Sequence, residues 1–248
     1  MELHRIGDFC DIGNGMVSGL DLAFQINDTS YLNVDERNAL ISVIKAKDLC
    51  QYKSKSSTNY IFIQDDITKE QFEIKYPHFA RHFSPYIERL NHRYSYNRTI
   101  PYWEFVFPRN QKLFERKESR IFIPCKERIT KKKYFRFCYA PEKAYPTQDV
   151  TAIFKKAGTK ESIEYILAYL NNKRVFEWLL LNGIVKGDIV EFSEAPIASI
   201  PFRPINWASE IEVQRHDKIT EEVKKHLKTP SDNNIESINN LLNTFFNE

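Results

Sequence analysis

The chain has 248 residues, of which 42% are hydrophobic and 14% aromatic, so it can bury the core of one large domain or of a domain with an appendage. This composition excludes gross disorder, and the lack of an apolar run of about 18 or more residues argues against a membrane partner. The four cysteines are isolated in sequence, and the N-terminus lacks the apolar region of a signal peptide. We therefore expect reduced thiols and a cytoplasmic location.

The net charge is only +3, but the charges are unevenly distributed. Residues 109–136 hold eleven basic and three acidic residues, a local charge of +8, whereas 1–44 and 206–248 carry −5 and −3. A basic block between acidic ends is typical of a protein that presents one face to a polyanion. The alternative, which charge alone leaves open, is that the triple lysine 131–133 is a solvated hairpin tip.

In the first part of the chain, residues 4–26 predict short strands and turns, residues 34–44 a helix and residues 60–63 a strand. Residues 77–93 predict a helix that Pro85 interrupts. Within it, His78 and His82 have the spacing of two zinc ligands, but no further ligand accompanies them and a structural pair is expected.

In the middle of the chain, the alternation of Trp103, Phe105 and Phe107 with other residues predicts a strand, followed by a turn at 108–110. Further strands are predicted at 120–123, 135–139 and 148–154.

Residues 163–180 have apolar side chains at three- and four-residue steps, which predicts one long amphipathic helix ended by a left-handed Gly183. A tight turn at Gly187 and a strand with Val190 and Phe192 follow. Residues 209–227 and 235–246 predict two surface helices, so we divide the chain into a domain at 1–205 and a helical appendage at 206–248.

Several of these segments resemble the TaqI-like specificity domain, the target recognition domain of adenine-specific DNA methyltransferases and of restriction enzymes fused to them. The helix pattern Tyr-Ile-Leu-Ala-Tyr-Leu, the Lys-Gly turn and the closing Ile-Pro-Phe carry the resemblance in the C-terminal half. Trp103 and the Pro108-Arg109 pair belong to the most specific match, at 100–124. The matching segments are 6–12, 23–26, 44–49, 100–124, 165–173, 186–187 and 200–202.

The resemblance implies an α/β (mixed α+β) fold, in which a curved mixed sheet carries packed helices and a C-terminal helical appendage. It also implies sequence-specific binding of double-stranded DNA for a type II restriction-modification system. The catalytic Asn-Pro-Pro-Tyr motif and the glycine-containing cofactor loop of adenine methyltransferases are absent from the sequence. We therefore expect no catalytic residue, no metal and no cofactor in this chain, and S-adenosylmethionine in a parent enzyme of which the chain is an excised part or a separate subunit.

Arginine and lysine would neutralise phosphates, arginine can also bind guanine, and asparagine can bind adenine. For Asn110 a turn-forming role, and for Trp103 a core position, are alternatives. A docking role for a separate catalytic partner, through the helices after Ser209, is the alternative function. The candidate DNA-binding residues are Lys45, Lys47, Arg93, Trp103, Arg109, Asn110, Arg128, Lys131, Lys132, Lys133 and Lys186.

Overall fold

The structure is a computed structural model that describes residues 4–129 and 133–246. The strands are β1 (Cys10–Asn14), β2 (Gln25–Ile26), β3 (Leu40–Ile44), β4 (Tyr52–Lys53), β5 (Thr58–Ile61), β6 (Arg120–Pro124), β7 (Lys126–Arg128), β8 (Cys138–Ala140), β9 (Ala144–Pro146), β10 (Val150–Lys155), β11 (Ile184–Lys186) and β12 (Ile189–Glu191). The α-helices are α1 (Ile6–Phe9), α2 (Asp21–Phe24), α3 (Val34–Asn38), α4 (Lys69–Lys75), α5 (Pro77–Phe83), α6 (Ile87–Asn91), α7 (Gln111–Phe114), α8 (Ile163–Leu170), α9 (Lys173–Asn182), α10 (Glu194–Ala198), α11 (Glu210–Lys228) and α12 (Asp232–Phe246). Short 3₁₀ helices lie at Ala46–Asp48 and Ser84–Tyr86, the second at the predicted interruption by Pro85.

The predicted mixed α/β class is confirmed, although the strands of the described residues lie in three sheets where the sequence suggested one. A five-stranded sheet has the order β1-β10-β6-β8-β4, and its pairs are antiparallel except for the parallel pair β4–β8. A four-stranded sheet has the order β2-β5-β3-β9, and a three-stranded sheet has the order β11-β12-β7.

The five-stranded sheet is buried on both faces, because successive side chains of a strand point to opposite sides. In β6, Ile121 and Ile123 join one core, whereas Phe122 joins the other. In β10, Ile153 likewise faces the first core and Phe154 the second. The first core lies under the helices after residue 162, and the second lies under the four-stranded sheet and helices α4 and α5.

The long helix predicted from residue 163 is two helices, because a buried asparagine pair interrupts it. The Asn171 amide donates to the Phe137 carbonyl (2.9 Å), and Asn172 caps α9 by accepting from the backbone N–H of Arg174. Gly183 follows α9 as predicted, but its φ of −79° is not left-handed. Glycine instead avoids a steric clash at this position, because a Cβ would lie 2.4 Å from the Leu179 carbonyl oxygen.

The C-terminal helices α11 and α12 pack on α8 and complete the first core. Ile219 and Val223 of α11 and Ile238, Leu242 and Phe245 of α12 are buried in the same cluster as Ile166 and Leu167 of α8. The domain boundary at residue 205 remains a prediction. Among the described residues, no helix is long and apolar enough to cross a membrane.

The aromatic stretch 100–107 is the clearest difference from the predicted elements. It forms turns rather than a strand, and only Phe107 bridges antiparallel to Val17. Trp103 is 4% exposed and stacks on Phe72, with ring centroids 4.5 Å apart. Residues 34–44 also differ, because the helix ends at Asn38 and β3 begins at Leu40.

Candidate nucleic-acid interface

The three-stranded sheet brings together three cations from two distant parts of the sequence. Lys126 and Arg128 alternate with Glu127 on β7, so both point to the same exposed face. Arg128 pairs with Ile189 of β12, and Ile189 pairs with Lys186 at the end of β11. Gly187, at a φ of +62°, makes the tight turn between β11 and β12 that the sequence predicts. We call Lys126, Arg128 and Lys186 on this sheet the basic sheet face.

Two of these cations share one carboxylate. The Oε1 atom of Glu191 lies 3.1 Å from Lys186 Nζ and 3.5 Å from Lys126 Nζ. The hydrogen bond from Lys186, with the charges of both lysines, holds the pKa of Glu191 below its usual value. Arg128 is 3.6 Å from the Asp188 carboxylate, and both of these side chains are largely exposed. Such solvated pairs are weak, so phosphates can compete for the cations.

Arg136 fixes the segment that contains Lys47 to β7, through Glu127 on the opposite side of the strand from Lys126 and Arg128. The Arg136 guanidinium pairs with Glu127 (2.7 Å) and donates to the carbonyls of Ala46 and Leu49. Lys47 is exposed on this segment. Lys45 is half-buried instead, with its Nζ 5.4 Å from the centroid of the Tyr60 ring.

Arg109 adds a fixed guanidinium next to the start of β7. Its Cζ lies 5.4 Å from the centroid of the exposed Phe107 ring, and its buried Nε has no hydrogen-bond partner. Burial raises the pKa of the Cys125 thiol, while Thr151, Arg109 and Lys126 act to lower it. Asn110, the residue after Arg109, bonds to Asn14, and Asn14 and the Cys125 thiol both contact the Thr151 hydroxyl, so the Arg109 segment lies close to the residue that precedes β7.

Asn110 forms part of the turn that the sequence predicted at 108–110. It adopts a left-handed conformation (φ 54°) at the start of α7, and its Nδ2 donates to the Asn14 carbonyl (2.9 Å). A Cβ on Gly13 would lie 2.8 Å from this Nδ2, so the close approach requires glycine there. This geometry agrees with the turn-forming alternative for Asn110, and its contact with adenine stays a prediction.

Two other predicted DNA-binding residues hold the fold together. Arg93 donates to the carbonyls of Ser18 and Pro101, both at 2.9 Å, and burial lowers its pKa to about 10, so it stays charged at neutral pH. Trp103 lies in the core and cannot stack on a base while the fold is intact. Both side chains are occupied inside the protein, so this geometry does not support their predicted DNA contacts, which stay predictions.

The triple lysine is described only in part. Lys131 and Lys132 lie outside the described residues, so their predicted contact with phosphates stays a prediction. Lys133 is exposed and lines a groove with Asn171, Lys173 and Asp232.

Some cations of the basic block at 109–136 are bonded within the protein, and others are exposed. Arg120 is fully buried, and its guanidinium donates to the carbonyls of Phe114, Arg116 and Glu118. Arg116 pairs with Asp11 and Glu118, and Arg136 with Glu127. The local charge therefore overstates the number of cations that can meet a ligand.

The sequence reasoning missed Lys126, Glu191 and the exposed ring of Phe107. The Lys-Glu-Arg alternation at 126–128 carries a signal for Lys126, because alternate residues of a strand share a face. The contact of Glu191 with Lys126 depends on the pairing of β7 with β12, for which no local pattern gives a signal.

The described residues offer little for covalent or metal chemistry. All four cysteines are unpaired, and burial raises the pKa of Cys10 and Cys138 to about 12, which makes them poor nucleophiles. His78 bonds to Glu36, and His82 to the Ala23 carbonyl, as expected for structural histidines. No group of three or more metal-ligating side chains occurs in the part of the chain that the structure describes.

The sequence is similar to curated type II methyltransferases, although no protein-family model matches it. It is 51% identical over 239 residues to the type II methyltransferase M.HindII of Haemophilus influenzae, covering 96% of this chain and 46% of that protein. It is 48% identical over 223 residues to M.HincII of the same species, covering 90% of this chain and 44% of the relative. The chain thus spans less than half the length of these two relatives.

Solved restriction-modification enzymes share the fold. The type IIL restriction-modification enzyme MmeI, in complex with DNA, superposes with a TM-score of 0.66 at 8% identity, over 98% of this chain and 33% of that one. The type IIG restriction endonuclease BpuSI superposes with a TM-score of 0.55 at 13% identity, over 90% of this chain and 26% of that one. The relatives by sequence are therefore type II methyltransferases, and the fold occurs within larger restriction-modification enzymes.

Proposed function

We propose that this chain recognises a specific sequence in double-stranded DNA for a type II, adenine-specific DNA methyltransferase of a restriction-modification system. The observation that carries the proposal is the basic sheet face, where Lys126, Arg128 and Lys186 lie exposed on one small sheet. The similarity to M.HindII and M.HincII supports the link to methyltransferases.

Two kinds of cation would make different contacts with DNA at this interface. Lys126, Arg128, Lys186 and Lys47 are exposed, and long solvated side chains suit contacts with phosphates. Arg109 is held against Phe107, and a fixed guanidinium can form two hydrogen bonds to the major-groove edge of guanine. Phosphate contacts would give affinity, and Arg109 would contribute selectivity.

Methyl transfer would belong to a catalytic domain in another part of the parent protein or in a separate subunit. That domain would bind S-adenosylmethionine and take the target adenine out of the base stack. In this division, the described chain holds the duplex and selects the site.

The alternative is a subunit that docks a catalytic partner through the helices after Ser209. It has less support, because the apolar faces of α11 and α12 are buried in the protein's own core. Ile211 is the large hydrophobic residue of α11 that stays exposed among the described residues.

A duplex titration at several salt concentrations tests the proposal. We expect the affinity to fall by at least about tenfold between 50 and 200 mM salt, since each phosphate contact releases counterions. The triple variant Lys126→Gln, Arg128→Gln, Lys186→Gln should weaken all duplexes and reduce the salt slope by roughly one unit per lost contact.

The matched control is Lys69→Gln, Lys224→Gln, Lys225→Gln, whose exposed lysines also pair with neighbouring glutamates, on α4 and α11. It removes the same charge from other surfaces and should bind nearly as the parent does. If both triple variants lost the same affinity for DNA, the loss would be explained by net charge alone. That result would contradict the assignment of DNA binding to the basic sheet face.

A further inference from the structure

Three aromatic side chains form a solvent-exposed cluster beside Arg109. Tyr94, Tyr96 and Phe107 are 72%, 44% and 42% exposed. The ring centroids of Tyr94 and Tyr96 are 4.7 Å apart, and those of Tyr96 and Phe107 are 6.0 Å apart. We call these three residues the aromatic cluster. Large rings that stay contiguous at a surface mark a binding site more often than an accident of packing.

The turn that presents the cluster is unusual and firmly held. Tyr96 and Asn97 both have left-handed backbone conformations, at φ 56° and 58°, which a non-glycine residue adopts at a cost. Arg93 ties the start of the segment to the Ser18 and Pro101 carbonyls. Phe107 is fixed by two backbone hydrogen bonds with Val17. Hydrogen bonds therefore anchor the chain on both sides of the two tyrosines.

The charges around the cluster indicate what it can bind. The Cζ atoms of Arg98 and Arg109 lie 5.8 and 5.4 Å from the centroid of the Phe107 ring. The cluster also lies close to the start of β7, because Asn110, next to Arg109, bonds to Asn14, which shares the Thr151 hydroxyl with Cys125. Flat rings flanked by guanidinium groups suit a flat, uncharged ring attached to an anionic backbone, which is the chemistry of a nucleobase in a nucleic acid strand.

A fully paired duplex does not offer this surface, because each base face is covered by its neighbours in the stack. An aromatic side chain can reach a base face only where a step is opened or a base is displaced. We infer that the aromatic cluster stacks on a base at a locally opened step of the bound duplex. The inference rests on the proposed DNA recognition and adds that this domain itself favours disrupted DNA.

Binding of two labelled duplexes tests the inference, one fully paired and one identical except for a single bulged base. A stacked base contributes a change of about fivefold or more in affinity. We expect the purified chain to bind the bulged duplex at least about fivefold more tightly. The double variant Tyr94→Ala, Tyr96→Ala should lose this preference and keep the affinity for the paired duplex, whereas Tyr94→Phe, Tyr96→Phe should keep both.

The matched control is Tyr31→Ala, which removes an exposed tyrosine (47%) that packs against His78, and it should keep the preference. Thermal melting of each variant confirms that it is folded. Binding of the paired duplex without any preference for the bulge, or a preference that survives the double alanine variant, overturns this inference alone. Absence of binding to both duplexes overturns the proposed function as well.

Discussion

The guanidinium of Arg109 lies over the ring of Phe107, with its Cζ 5.4 Å from the ring centroid and its Nε buried without a hydrogen-bond partner. The ring limits the movement of the side chain, and the structure gives Arg109 no carboxylate partner among the described residues. The structural alternative for this residue, bonding to a carboxylate or carbonyl inside the domain, therefore has no contact to support it.

We predict that Arg109→Ala weakens binding to the preferred sequence more than binding to random DNA, by about 1–3 kcal/mol of discrimination. The preferred sequence can be selected from a randomised duplex pool and then titrated against random DNA. Arg109→Lys is the control, because it keeps the charge but not the planar fork, and it should lose discrimination while retaining general affinity. A drop of several degrees in melting temperature, with equal weakening for all DNA, would assign Arg109 to the fold.

Glu191 reduces the charge of the basic sheet face, since it contacts both Lys126 and Lys186. Glu191→Gln should strengthen binding to every duplex at low salt by a few-fold and steepen the salt dependence, because two lysines become available to phosphates. The control is Glu222→Gln, since Glu222 pairs with Lys225 on α11 and its side chain is as exposed as that of Glu191, 19% in each case. Unchanged or weaker binding in Glu191→Gln would show that the lysines do not contact DNA.

Glu36 is a fully buried carboxylate that organises the second core. It accepts from the backbone N–H groups of Asn33, His78 and Phe79 and bonds to the ring of His78. Burial acts to raise the pKa of Glu36, but these hydrogen bonds outweigh it, so the pKa is lowered from 4.5. Glu36→Gln should destabilise the protein by about 1–3 kcal/mol in chemical denaturation at neutral pH.

The lowered pKa of Glu36 determines how the stability of the protein changes with pH. Because the folded-state pKa of Glu36 is lowered, its stabilisation is present above the unfolded value near 4.5 and is lost as the pH falls through the folded value. Glu36→Gln should therefore lose less stability on acidification than the parent. Glu73→Gln, at an exposed i,i+4 pair with Lys69, should change stability by no more than about 0.5 kcal/mol and leave the acid profile unaltered.

We also predict that the purified chain transfers no methyl group to DNA, since its sequence lacks the catalytic motif and the cofactor loop expected of an adenine methyltransferase. Incubation with DNA and labelled S-adenosylmethionine measures this directly, and calorimetry should give no binding heat for the cofactor. Incorporation of label would place a catalytic site within the chain and contradict the proposed division of work.

Local patterns predicted the fold class and many elements, because strand alternation and helix periodicity act over a few residues. The pattern at 120–123 gives the buried strand β6, and Ser209 is the cap of α11. The break between α8 and α9 was missed because the apolar spacing continues across Asn171, whose hydrogen bond to Phe137 is a tertiary contact. The aromatic alternation at 103–107 likewise belongs to turns rather than a strand, with Trp103 packed on Phe72, Phe105 on Phe24 and Phe62, and Phe107 exposed.

For the candidate interface, the sequence indicated the basic block but not which of its residues are buried and which are exposed. Arg120 and Arg109 lie in the same block, yet one is bonded to carbonyls in the core and the other lies on an exposed ring. The burial of Arg120 follows from the pairing of β6 with β10 and β8, and the contact of Glu191 with Lys126 follows from the pairing of β7 with β12. No short-range rule contains that information.

The exposure of the three-stranded sheet has a consequence for the substitutions that it tolerates. Within its fully described strands β7, β11 and β12, Val190 is the only buried residue, and the remaining positions are partly or fully exposed. Substitutions at exposed positions usually alter folding free energy by no more than about 0.5 kcal/mol. Under the proposed function, substitutions on this sheet can therefore change the affinity for DNA one residue at a time, while the buried strands β6 and β10 keep the protein folded.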